Sequence, residues 1–104
     1  MTEFIFTYHG GQRPSNPEEG LKSIKEWEAW AAGLGEALVN PGHMAIDTMV
    51  INETGLLEQS SSNPISGFSI INAENRESAV ELLKTCPHLV QGATLEVSEI
   101  VKMG

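Results

Sequence analysis

The stretch from Gly67 to Gly92 constrains the fold most, because it predicts a strand that leads directly into a capped helix. The apolar residues between Phe68 and Ala73 form a run that is too short for an ordinary helix and rich in β-branched and aromatic side chains, which favours a largely buried strand. Asn75 follows with a side chain that can cap a helix, and Glu77 places negative charge near the positive end of the helix dipole. We therefore expect a helix that packs against the sheet.

This second helix has a clear apolar face and a clear end. The face repeats at the i, i+3, i+4, i+7 spacing of a helix and consists of Ala79, Leu82, Leu83 and Cys86. Pro87 disfavours the helical conformation for the residue before it, so the helix should stop close to Cys86. From Ala93 to Val101 the pattern changes to period two, which predicts a last strand with Leu95 and Val97 on its apolar side and Thr94, Glu96 and Ser98 on its wet side.

The N-terminal part of the chain predicts the same pair of elements. Thr2 to Tyr8 alternates in the manner of a strand with an aromatic face. The run Asn16-Pro17-Glu18-Glu19 is a complete helix start, with an Asn cap, proline at the first helical position and a glutamate able to bond back to the cap. Gly35 is a candidate left-handed cap at the other end of this helix.

The middle of the chain predicts a turn, a strand and a hairpin. We expect a turn at Asn40-Pro41-Gly42, a strand from His43 to Ile51, and a hairpin tip at Glu53-Thr54-Gly55. Ser60 to Ser66 is polar and predicts an exposed loop. The resulting order is βαββαβ, a single α+β domain over residues 1–104 with a ferredoxin-like antiparallel sheet, helices on one face and an extra hairpin around residues 44–58.

Charge and composition narrow the classes of partner. The chain has 104 residues and a formal net charge of -8, so its summed field repels phosphate and argues against binding to nucleic acid or to an anionic membrane. No apolar run approaches the ~20 residues that span a bilayer. One cysteine cannot form an intramolecular disulfide, and nothing in the N-terminal residues suggests a signal peptide, so a cytoplasmic location is expected.

Several short motifs, taken in order, resemble the YCII-related proteins and in particular the branch known as DGPF-domain proteins. The matching segments are Tyr8-His9-Gly10-Gly11, Trp27-Glu28-Ala29-Trp30, Gly67 to Ala73 with the helix that follows, Cys86-Pro87-His88-Leu89, and Gly92 before Leu95-Glu96-Val97. The resemblance covers nearly the whole chain. It departs at one place, where Ser62-Asn63-Pro64-Ile65 stands in the position of the Asp-Gly-Pro-Phe motif and keeps only the proline.

The resemblance implies a dimeric α+β barrel, in which two ferredoxin-like subunits pack sheet against sheet and enclose a pocket. The biochemical role of that family is poorly defined, and fold analogy does not choose among the isomerases, monooxygenases and ligand-sensing domains that share this architecture. If the acidic residue of the motif takes part in chemistry in relatives, this chain has lost it or uses another group.

Three polar residues are the first candidates for chemistry. His9 stands at a strand end beside two glycines, where its imidazole could transfer protons near neutral pH, although a surface histidine in a turn is the plainer alternative. His43 and Asp47 lie four residues apart on one predicted strand, and therefore on one face about 13 Å apart. Asp47 interrupts an apolar run, so it either faces a pocket as a base or lies at an edge, where it discourages aggregation.

Ligand binding is the role expected of His43 and of the remaining candidates. His88 either bonds the carbonyls at the end of the second helix, where the dipole favours its protonated form, or borders the pocket. Trp30, with Trp27, is either a core or dimer-interface residue or a pocket wall. Arg13 follows His9 and could compensate an anionic ligand. Three histidines without a close pair predict no metal site, no cofactor motif is present, and Cys86 should be a small buried apolar residue.

Two functions from different classes follow. The first is a small-molecule enzyme in which His9, assisted by Asp47, transfers protons in a pocket between sheet and helices, as in isomerisation or lyase chemistry. The second is a non-catalytic ligand-binding or regulatory module. Convergence of the polar groups on one cavity would favour the enzyme, whereas an apolar pocket with histidines pointing elsewhere would favour the module.

Overall fold

The computed structural model describes residues 1–11, 15–58, 61–90 and 92–103. Its strands are β1 (Thr2–His9), β2 (Leu38–Met44), β3 (Val50–Asn52), β4 (Gly55–Glu58), β5 (Ile65–Ala73) and β6 (Thr94–Glu99). Its helices are α1 (Pro17–Leu34), α2 (Arg76–Leu83) and α3 (Pro87–Val90), with a 3₁₀ turn at Gly35–Ala37 after α1.

Four strands form one antiparallel sheet in the order β2-β5-β1-β6, and β3 pairs with β4 in a separate hairpin. Without the hairpin, this strand order and the alternation with helices give the ferredoxin-like βαββαβ arrangement expected from the sequence. The extra hairpin lies between the second and third strands of that arrangement, within the predicted range of 44–58. The α+β fold class is therefore confirmed.

Both predicted helix caps are present. The Asn16 side chain accepts a hydrogen bond from the Glu19 backbone N–H at 2.9 Å, and Pro17 occupies the first turn. The Glu19 carboxylate accepts from the backbone and hydroxyl of Ser15, one residue before the expected partner. Asn75 caps α2 in the same way, accepting from the Ser78 N–H at 2.8 Å. Local side-chain hydrogen bonds therefore fix where each helix begins.

The end of the second helix differs from the prediction. Helix α2 ends at Leu83, before Cys86, and Pro87 begins the one-turn helix α3 instead of terminating α2. Proline is well suited to a first helical turn because its missing N–H would have no partner there. Cys86 lies between the two helices and is fully buried, as predicted, and burial raises the pKa of its thiol.

The segment around β2 departs most from the sequence interpretation. Asn40-Pro41-Gly42 lies within β2, as an irregular part of the strand, and does not form a separate turn. The predicted strand from His43 to Ile51 is wrong, since residues 45–49 connect β2 to β3 without strand structure. The loop predicted from Ser60 to Ser66 ends earlier than expected, because β5 begins at Ile65; Ser60 lies outside the described residues.

The core lies between the sheet and the helices. It contains alternate residues of β1 and β5 together with buried residues of α2 and the segment after it: Phe4, Phe6, Tyr8, Ile71, Ala73, Ala79, Leu83 and Cys86. All three helices of the described part of the chain pack on this side. We call the other side of the sheet the open face; it carries Ile5, Thr7, His9, Phe68, Ile70, Glu96 and Ser98. No helix in the described residues is long and apolar enough to cross a lipid bilayer.

Candidate functional site

His9 is the most constrained polar residue of the open face. Its side chain is 4 % exposed, although it lies at the end of β1. The imidazole Nε2 lies 2.6 Å from the Thr7 hydroxyl, and Nδ1 lies 3.1 Å and 3.2 Å from the carbonyl oxygens of Asn63 and Pro64. Thr7 shares the face because alternate residues of a strand point the same way.

The partners of His9 determine its tautomer. Carbonyl oxygens only accept hydrogen bonds, so Nδ1 carries the proton and donates it toward Asn63 and Pro64. In the neutral imidazole, Nε2 then has a free lone pair, and the Thr7 hydroxyl donates to it. The loop thus holds the ring so that its basic nitrogen is directed along the open face, which is the arrangement of an oriented general base.

A carboxylate lies beside the same nitrogen. Glu96 is the cross-strand partner of Thr7 on β6, and its Oε1 is 3.7 Å from His9 Nε2. Its other oxygen, Oε2, accepts a hydrogen bond from the Asn63 side-chain amide at 2.9 Å, so the loop that holds His9 also holds Glu96. If Nε2 takes up a proton, Glu96 supplies the opposing charge at short range.

Two ring side chains, Phe68 and His43, lie beside this polar group on the open face. Thr7 pairs with Phe68 on β5, and Phe68 pairs with His43 on β2, so these residues and Glu96 form one row across four strands. At the usual strand separation the row is roughly 14 Å wide. The rings of His43 and Phe68 are 6.1 Å apart and inclined at 59°. Phe68 therefore lies on the open face between the polar group around His9 and the ring of His43.

His88 lies on the opposite side of the sheet, with the helices. Its ring meets the Tyr8 ring edge to face, with centroids 5.1 Å apart, and Nε2 is buried without a hydrogen-bond partner in the described residues. Desolvation lowers the pKa of His88, and the charge of His9 lowers it further, while a hydrogen bond to the His9 backbone acts the other way. The expectation that a helix dipole favours its charged form is therefore wrong, because burial dominates.

The two tryptophans contact the core from α1. Trp30 is half-buried, its ring lies 6.3 Å from that of Phe6, and its Nε1 donates to the Thr85 hydroxyl at 3.1 Å. Trp27 donates from Nε1 to the Tyr8 hydroxyl at 3.0 Å. Both rings lie on the helix side of the sheet, so the structure does not bring Trp30 together with His9.

Asp47 lies in the connection between β2 and β3, where it is exposed. Its φ of 57° places it in the left-handed region, which a short polar side chain tolerates better than most. The prediction that Asp47 shares a strand face with His43 is therefore wrong, since no strand continues to residue 47. Arg13 lies outside the described residues.

Sequence reasoning did not select Thr7, Glu96 or Phe68. The period-two patterns placed Glu96 on the wet side of its strand, and Thr7 is two residues from His9 on another. The missing information was the register that sets Glu96 and Phe68 on either side of Thr7. Register is a property of paired strands, so neither segment alone contains it.

Within the described residues, no group of three or more His, Cys, Asp or Glu side chains is arranged to hold a metal ion. Comparison with known proteins gave no matching family model and no matching curated protein. Among solved structures, the chain is similar to 5-chloro-2-hydroxyhydroquinone dehydrochlorinase from Burkholderia phenoliruptrix AC1100, solved in complex with 2,5-dihydroxybenzoquinone. The TM-score is 0.54 at 16 % identity, over 96 % of this chain and 95 % of that one. This likeness shows a common fold.

Proposed function

We propose that this protein is a small cytoplasmic homodimer of the YCII-related type, a single domain that binds a planar small molecule on the open face and uses His9 for proton transfer. The observation that carries the proposal is the fixed orientation of His9, whose Nδ1–H is held by two loop carbonyls. A ring held in this way keeps its orientation while Nε2 exchanges the hydrogen bond from the Thr7 hydroxyl for a proton of the ligand.

The loop that holds His9 is Ser62-Asn63-Pro64-Ile65, the segment that replaces Asp-Gly-Pro-Phe in the family resemblance. In this chain the loop contributes carbonyl oxygens to His9 and an amide to Glu96. Glu96, supplied by β6, therefore takes the part that the sequence analysis gave to Asp47. It stabilises the imidazolium that forms when Nε2 accepts a proton.

The proposed reaction class follows from a single base, His9, that lies beside the aromatic ring of Phe68. Nε2 accepts a proton from an acidic O–H or C–H of the ligand, and the electron pair of that bond remains on the ligand as an enolate conjugated with a carbonyl. Returning the proton to another atom completes an isomerisation, while departure of a leaving group completes an elimination. The similar structure, a dehydrochlorinase with a bound dihydroxybenzoquinone, makes hydroxylated quinones the first ligand class to test.

Dimerisation is supported by the composition of the open face. One face of an antiparallel sheet is often solvated and polar, but this one has Ile5, Phe68 and Ile70 at its centre. A second copy packed face to face would remove these side chains from water and would exclude solvent from His9. Exclusion of water strengthens the interaction between His9 and Glu96.

The proposal can be tested by hydrogen exchange, which reports proton transfer even where no product accumulates. The ring hydrogens of 2,5-dihydroxybenzoquinone would be followed by proton NMR in heavy water with the wild-type protein, His9→Asn, Glu96→Gln and the control Glu99→Gln. We expect His9→Asn to lose about 100-fold or more of the protein-catalysed rate, and Glu96→Gln about 10-fold. Glu99→Gln, an exposed change on the same strand, should retain the wild-type rate.

The same experiment separates the two classes of function. If the quinone binds and shifts the His9 and His43 resonances but exchange is not accelerated, the protein is a ligand-binding module and the catalytic proposal fails. An accelerated rate that survives His9→Asn would also overturn it, since another group would then be the base.

A further inference from the structure

The strongest unexplained feature lies outside the candidate site, in an apolar arm formed by residues 44–58. The arm contains the last residue of β2, the connection after it and the β3–β4 hairpin. Five large apolar residues of the arm are each between 53 and 86 % exposed: Met44, Ile46, Met49, Ile51 and Leu56. Soluble monomers leave single apolar residues exposed as a rule, so five large exposed ones in one short segment point to an interaction surface.

Within the part of the chain that the structure describes, no other element covers the arm. Strands β3 and β4 pair with each other, and within the described residues neither makes an extensive contact with another element. The molecule measures 45 × 43 × 19 Å, and its thinnest dimension is that of one sheet with one layer of helices. The arm therefore projects beside the sheet and does not fold over either face. An isolated two-stranded hairpin is only marginally stable in water, so the arm requires a partner.

The area and position of the arm identify that partner. Five side chains of this size expose roughly 600 Å², the upper end of what a monomer leaves uncovered and most of the ~800 Å² that one subunit contributes to a stable interface. The arm begins at Met44, directly after His43, whose ring contacts Phe68 on the open face. The arm follows β2, an edge strand of the sheet, so a molecule that covers the open face and extends past that edge reaches the arm.

We propose that the arm packs against a second copy of this chain, extending past the edge of its own sheet when two open faces meet. This inference rests on the homodimer of the proposed function and adds the segment that holds the two copies together. It does not depend on the chemistry at His9, because the polar partners of that ring, Thr7, Asn63, Pro64 and Glu96, lie outside the arm.

The four methionines provide the test. Met44 and Met49 belong to the arm, while Met1 and Met103, at 91 % and 98 % exposed, are internal controls at the chain ends. With methyl-labelled methionine and a soluble paramagnetic agent, we expect the arm methyls of the dimer to relax several-fold more slowly than the terminal ones. Dilution to the monomer should bring all four to a similar rate.

Variants supply the second measurement. Met49→Ser combined with Ile51→Ser should raise the dimer dissociation constant about 100-fold, whereas Leu21→Ser combined with Ile24→Ser, exposed on α1, should change it less than about threefold. Circular dichroism would check that each variant is folded. A dimer with four equally exposed methionines, or an arm variant that dimerises as wild type, would overturn the arm proposal alone. A protein that stays monomeric at millimolar concentration would overturn both the arm proposal and the dimer. If the arm methyls are protected in the dimer but the protein does not accelerate hydrogen exchange of the quinone, only the proposed chemistry is overturned.

Discussion

The hydroxyl groups of Tyr8 and Ser69 lie 3.0 Å apart on the helix side of the sheet, and the direction of the hydrogen bond between them is fixed by their other partners. The indole N–H of Trp27 only donates, and it donates to Tyr8. The carbonyl of Pro41 only accepts, and it accepts from Ser69 at 2.7 Å. Tyr8 therefore donates to Ser69. One directed chain of hydrogen bonds joins α1, β1, β5 and β2 through the core.

Removing the Tyr8 hydroxyl, which lies in the middle of this chain, should break two of its hydrogen bonds. Tyr8→Phe leaves the Trp27 indole and the Ser69 hydroxyl each with one partner fewer, and an unsatisfied buried polar group costs ~1–3 kcal/mol. We expect the free energy of unfolding, measured in urea by tryptophan fluorescence, to fall by about that amount. Thr85→Val is the matched control, because it removes an exposed hydrogen bond to Trp30 and should cost less than about 1 kcal/mol. Equal losses in both variants would contradict the argument.

The same burial should be visible in the ionisation of Tyr8, the only tyrosine of the chain. Desolvation raises its pKa above the ordinary 10.0, against the smaller lowering effect of the bonds from Ser69 and Trp27. The unfolded chain loses this proton more readily, so folding stability should fall as the pH rises above 10. Ultraviolet titration of the phenolate should give a higher midpoint for the folded protein than in guanidinium. Coincident midpoints would show that Tyr8 is accessible to water.

The parts of the fold that could be predicted from the sequence are those encoded by neighbouring residues. The helix starts at Asn16 and Asn75 depend on one side chain and an amide three residues later, so the sequence predicts both correctly. The aromatic side of β1 and the apolar side of β6 follow from alternation within a single strand. Each of these signals is local, and each is retained in the folded chain.

The parts that could not be predicted depend on contacts between distant segments. Asn40-Pro41-Gly42 has turn-forming residues, but pairing with β5 draws it into an irregular strand. The environment of His88 is set by the ring of Tyr8, from the first strand, so its helix-end position alone is misleading. His9 is a candidate from the sequence, whereas its partner Glu96 depends on strand register, and the prediction names Asp47 instead.

The burial of His88 predicts a pH dependence of stability. Its folded-state pKa is lowered from 6.5, chiefly by desolvation, so the unfolded chain binds this proton more readily than the folded one. Stability should therefore fall as the pH decreases through 6.5 toward the folded-state pKa, by at most ~1.4 kcal/mol per pH unit, and the loss should level off below it. Urea unfolding between neutral and mildly acidic pH should show a shallower dependence for His88→Gln. Parallel curves for the two proteins would contradict this origin.

Gly42 allows the closest approach between β2 and β5, and its replacement should be among the most damaging in the chain. A Cβ at this position would stand 1.7 Å from the carbonyl oxygen of Phe68, and the backbone has a φ of 75° that disfavours other residues. Gly42→Ala should therefore lower the free energy of unfolding by about 3 kcal/mol or more, because β2 must move away from β5.

Gly33→Ala provides the opposite expectation, since a Cβ there meets no atom within 4 Å and the residue lies in α1. Removing a helical glycine should raise stability by ~0.5–1 kcal/mol. Urea unfolding of the two variants thus tests both positions, and a Gly42→Ala protein as stable as wild type would show that β2 does not approach β5 so closely.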